Sequence, residues 1–129
     1  MTTDLWMLAA TALLQWVLIL TAATPRLLKN GIVYSVGNRH AEPRDVPEWA
    51  VRAQKASDNL AENLPLFAVL VLVVNVAGLQ GDLSAMGAQI FVCARVLHAV
   101  LYIAGVAWLR TLVWAVSLVG LGLVGAALF

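Results

Sequence analysis

Four apolar stretches, at roughly 5–23, 64–79, 85–109 and 111–129, dominate this chain and decide its solvent. A helix rises 1.5 Å per residue, so about 20 apolar residues cross the roughly 30 Å of hydrocarbon in a bilayer. Each stretch is near that length, the second once its polar start from Pro47 or Glu48 is counted. Hydrophobic residues make up 62% of the 129 positions and charged residues 12%, whereas a soluble domain is about 45–50% apolar. The expected fold is all-α, an integral membrane four-helix bundle of antiparallel up-down topology. It forms one domain over 1–129 with helices at about 4–28, 47–78, 84–107 and 110–128.

Charge sets the orientation. Six of the eight basic residues, Arg26, Lys29, Arg39, Arg44, Arg52 and Lys55, lie between the first two apolar stretches. The positive-inside rule makes that connection cytoplasmic and puts both termini on the far side, the periplasm if this is a bacterial inner membrane protein. The N-terminal tail and the 79–84 connection carry only Asp4 and Asp82. A net charge of +1 gives no footprint for nucleic acid. A cleaved signal peptide is the alternative for residues 1–23, but that stretch has no basic start and its apolar run is too long. Proline and glycine at Pro25, Gly31, Gly37, Pro43 and Pro47 predict one long loop over 25–47. Gly122 and Ala126 form a small-xxx-small pair suited to close helix packing. Cys93 has no second cysteine to pair with, and no second ligand stands at metal spacing beside His98, so no metal is expected.

The polar residues inside the apolar stretches carry the functional signal. Asn59, Glu62 and Asn63 stand at the mouth of the second segment, while Arg95, His98 and Tyr102 stand within the third. Such groups are costly near hydrocarbon unless they face the protein interior and find partners. Arg52, Lys55, Asn59, Glu62 and Leu66 recur at three- and four-residue steps and share one stripe; Arg95, His98 and Tyr102 form a second. Counted from the turn between these antiparallel helices, His98 is level with Glu62 and Tyr102 with Asn59. Arg95, snorkelling toward the cytoplasmic side, is expected to pair with Glu62. One reading of this cluster is an ion pair that fixes helix register. The other is a site for a small ligand with amine and carboxylate groups, because Lys55, Arg52 and Arg110 supply more cations than one carboxylate neutralises.

The run Arg-Ala-Gln-Lys-Ala-Ser-Asp-Asn-Leu-Ala-Glu-Asn-Leu-Pro-Leu-Phe, then Ala-Arg-Val-Leu-His-Ala-Val-Leu-Tyr-Ile-Ala-Gly and Trp-Leu-Arg-Thr, resembles the MAPEG family, the membrane-associated proteins in eicosanoid and glutathione metabolism. The resemblance covers about Gly37 to Arg110 and looks most like the small bacterial members. It implies a homotrimer with glutathione bound between adjacent subunits toward the cytoplasmic side, acting as a transferase or peroxidase on lipophilic substrates from the bilayer. The family's glutathione-site positions map onto Lys55, Asn59, Glu62, Arg95, His98 and Tyr102. Arg110 resembles the family arginine that stabilises the glutathione thiolate, with Tyr102 assisting by hydrogen bonding. This chain departs from the pattern at Ser57, where the family commonly has His, and at Asp58, which adds a negative charge beside the proposed site. The rival reading is a non-catalytic membrane protein that keeps the polar cluster for helix registry or binds another small anion.

Overall fold

The computed structural model describes residues 1–38 and 45–129. Arg39, His40, Pro43 and Arg44 of the expected first connection lie outside the described residues. Four helices follow one another: α1 (Thr3–Val36), α2 (Glu48–Val76), α3 (Asp82–Ala104) and α4 (Ala107–Ala126). All four are long and apolar enough to cross a membrane, so the protein is a multi-pass integral membrane protein in contact with lipid.

The helix ends follow local chemistry. Thr2 caps α1 by accepting from the Leu5 amide at 3.3 Å, and Pro47 precedes α2, where a missing N–H is harmless. Gly105 ends α3 in the left-handed region at φ 82, with Val106 N–H bonded to the Leu101 carbonyl at 3.0 Å. The largest difference from expectation is in α1. Pro25 does not open the loop; the chain stays helical past it and turns only at Gly31, whose φ of 81 and ψ of 171 are open essentially to glycine. Helical chain then resumes to Val36. Pro25 and Pro65 each remove one backbone bond without ending their helices. The other bounds move by one to three residues, as helix ends commonly do.

Consecutive helices pack on one another, α3 with α4 most extensively, and α1 also touches α3, whereas α1 and α4 do not meet among the described residues. The α3–α4 approach rests on Gly87 and Gly120. A Cβ on Gly120 would lie 2.6 Å from the Phe91 nitrogen and 2.7 Å from the Gly87 carbonyl oxygen, so the two backbones touch where no side chain fits. Gly122 of the expected Gly122–Ala126 seam faces open space instead, and Ala126 is exposed. Phe67 of α2 and Phe91 of α3 stack at 4.1 Å between ring centroids and anchor a buried apolar cluster with Val71, Val74, Ala88 and Val124. A second cluster of Leu18, Ala56, Leu60 and Ala99 lies toward the end that carries the α1–α2 connection, hereafter the basic end, and Tyr102 packs on it.

Candidate functional site

Antiparallel packing of α2 on α3 sets Asn59 about 6 Å nearer the basic end than Arg95, at 1.5 Å per residue. The long arginine side chain spans that offset: its Nη2 donates to Asn59 Oδ1 at 2.7 Å. Arg95 is only 1% exposed, and its Nε and Nη1 are buried with no hydrogen-bond partner. The expected Arg95–Glu62 ion pair is not formed, and Glu62 is exposed. Helix geometry gives the reason. Three residues advance α2 by about 300°, so Glu62 points some 60° away from Asn59 and faces outward. Among the described residues the ion pair present is Arg52–Glu48 at 3.6 Å, on the exposed start of α2.

The Gly105 turn folds α4 back on α3 and returns Arg110 to Tyr102. The guanidinium carbon lies 4.1 Å from the centroid of the phenol ring, within the range of a cation–π contact. His98 meets the same ring edge-on, with centroids 5.5 Å apart, and is itself 3% exposed. Tyr102 is half-buried, so His98 and Arg110 bracket a phenol that still reaches the surface. Arg52, which the sequence spacing assigns to the surplus of cations, also has a structural task. Its Nε donates to the Ile103 carbonyl at 2.8 Å and ties the start of α2 to the end of α3. This bond satisfies one of the carbonyls a helix end leaves open and holds the turn that carries Arg110.

Lys55 and Glu62 are exposed on α2. Asp58 is accounted for locally: its Oδ1 accepts from Gln54 Nε2 at 2.8 Å, and Gln54 Oε1 accepts from Arg26 at 3.2 Å. A relay through Gln54 thus connects the extra negative charge to a basic residue of α1. Ser57 is 2% exposed and accepts from Gln15 Nε2 at 2.9 Å. Gln15 was not singled out from the sequence, although a lone amide in the first apolar stretch signals a required partner. No cluster of three or more His, Cys, Asp or Glu side chains placed to hold a metal occurs among the described residues.

The geometry therefore assembles two polar groups on one side of the α2–α3 pair, Asn59–Arg95 and His98–Tyr102–Arg110, with Lys55 and Glu62 turned outward beside them. Compared with known families, residues 3–129 match the MAPEG family. The chain belongs to the MAPEG family. The match extends the resemblance carried by residues 37–110 to essentially the whole chain. MAPEG proteins include glutathione transferases and related enzymes, generally use glutathione and are generally trimeric. Comparison with curated proteins and with solved structures returned no match.

Proposed function

We propose that this MAPEG protein binds glutathione at the basic end, between subunits of a homotrimer, and transfers it to lipophilic electrophiles, or reduces lipophilic peroxides, that arrive through the bilayer. The observation that carries this reading is Arg110, held at 4.1 Å over the Tyr102 ring with no carboxylate paired to it among the described residues. Glutathione supplies a thiol whose ionised form is the nucleophile. A fixed guanidinium beside such a thiol favours the charged form, and the Tyr102 hydroxyl is available to donate to it.

The donor set fits the rest of the tripeptide. Lys55 is an exposed cation for a carboxylate, Glu62 is an exposed anion for an ammonium group, and Asn59 offers an amide between them. Glu62 also supports the assembly, because an exposed carboxylate on a membrane helix is costly unless a neighbouring subunit or a ligand covers it. Arg95 and His98 belong behind this surface. At 1% and 3% exposure they act as positioning residues, Arg95 by holding Asn59 and His98 by backing Tyr102.

The excess of basic residues between α1 and α2 supports an orientation with this site at the cytoplasmic face and both termini periplasmic, in a bacterial inner membrane. Titration calorimetry of the detergent-purified protein with glutathione tests the reading directly, and absence of heat at millimolar ligand refutes it. Where glutathione binds, the ultraviolet absorbance of a bound thiolate is expected in the wild type and lost in Arg110→Ala. The burial of Arg95 and its bond to Asn59 favour one second reading, a non-catalytic protein whose polar cluster fixes helix registry. That reading expects no thiolate signal and an assembly indifferent to glutathione.

A further inference from the structure

At the other end of the bundle, the start of α1 lies against the α2–α3 connection. Thr2 donates to Asn75 Oδ1 at 2.6 Å and draws the first turn onto α2. Beside this bond, Thr3, Asp4, Gln80, Gly81 and Asp82 line an open pocket of about 220 Å³. Asp4 is 1% exposed, and its Oδ2 is buried with no hydrogen-bond partner. A carboxylate taken out of water without a partner is strongly unfavourable even after the protein relaxes. Its place in the first turn of α1 gains from the helix dipole, a smaller effect that does not cover that cost.

The chain itself offers no basic side chain to this end. No lysine or arginine occurs in residues 1–25, 56–94 or 111–129. The residues that line the pocket instead carry oxygen donors: Asp4 and Asp82 each a carboxylate, Gln80 an amide and Thr3 a hydroxyl. Oxygen donors without imidazole or thiolate suit a hard cation. A water occupies about 30 Å³ in the liquid, so the pocket has room for an ion that keeps several waters. Calcium accepts such irregular, partly hydrated shells, whereas magnesium demands near-octahedral geometry.

We propose that this pocket is a low-affinity calcium site in which Asp4 and Asp82, with waters and the neutral oxygens, clamp the start of α1 to the α2–α3 connection. Two carboxylates and an open mouth place it in the weak class of calcium sites, with half-saturation at about 0.1–1 mM. It lies at the end of the molecule remote from Arg110 and does not depend on the glutathione reading.

The test uses the full chain, freed of metal by chelator in a phosphate-free maltoside detergent. Terbium is the luminescent probe and Trp6, two residues from Asp4, its sensitiser. Saturable terbium emission displaced by calcium in the stated range is expected, together with a calcium-dependent rise in the thermal midpoint. Asp4→Asn and Asp82→Asn should each weaken the calcium response at least tenfold while leaving far-UV circular dichroism and elution unchanged. Trp6→Phe should dim the emission and leave the calcium-dependent thermal shift in place. Emission undiminished in Asp4→Asn would assign the lanthanide to other surface carboxylates and overturn the site. A wild-type midpoint indifferent to calcium would overturn it as well.

Discussion

Replacing Asn59 by Leu should destabilise the protein far more than replacing Glu62 by Gln, although the sequence spacing favours Glu62 as the partner of Arg95. The Asn59 oxygen is the hydrogen-bond partner that the structure gives the Arg95 guanidinium, at 2.7 Å, and the arginine is 1% exposed. A hydrogen bond to a charged group contributes about 1.5–3 kcal/mol. Its loss leaves Nη2 without a partner, as Nε and Nη1 already are, so Asn59→Leu is expected toward the top of that range. Arg95→Leu removes the bond and the orphaned donors together and should cost less. The double variant should be no worse than Asn59→Leu alone, with a coupling of about 1.5–3 kcal/mol by the double-mutant cycle.

Glu62→Gln, at an exposed position, should stay within about 0.5 kcal/mol and show no comparable coupling to Arg95. Unfolding by sodium dodecyl sulfate in mixed micelles, followed by far-UV circular dichroism, measures all six proteins: the wild type, the three single variants, and Arg95→Leu combined with Asn59→Leu or with Glu62→Gln. Sedimentation in the same detergent reports the oligomer. An Arg95–Glu62 coupling as large as the Arg95–Asn59 coupling would refute the geometry and restore the ion pair read from the sequence.

The α3–α4 contact predicts a sharp contrast between two glycines. Gly120→Ala places a Cβ 2.6 Å from a backbone nitrogen and should cost about 1–3 kcal/mol by overpacking, whereas Gly122→Ala, facing open space, should leave protomer stability unchanged in the same assay. Ser57→His should be destabilising by about 1–3 kcal/mol, because Ser57 is 2% exposed and bonded to Gln15. Part of that loss should be recovered in Gln15→Ala/Ser57→His, measured by thermal midpoint. Gly31→Ala meets no steric obstacle but forces a side chain into a glycine-only conformation, so a loss of about 1–3 kcal/mol and altered proteolysis near Tyr34 are expected.

These contrasts show where the sequence was legible. The four spans could be read directly, because apolar length against bilayer thickness is a one-dimensional comparison that needs no knowledge of packing. The stripe containing Asn59 and the stripe containing Arg95 were visible for the same reason, since helical periodicity assigns residues to faces. Choosing between Asn59 and Glu62 was a different problem. The two differ by about 60° around α2 and one turn along it, and only the angle at which α2 meets α3 decides which one faces Arg95. That angle depends on distant residues, among them the Phe67–Phe91 stack. The bond that Arg52 makes is hidden for a related reason: it goes to a backbone carbonyl, and every residue carries one, so no side-chain pattern announces it. Gly31 shows the limit from the other side. Pro25 and Gly31 both read as loop openers, but a proline costs a helix one bond and some crowding, which the neighbouring turns of a membrane helix can absorb. The positive φ at Gly31 turns the backbone itself, and it is there, six residues later than the composition suggests, that α1 changes direction.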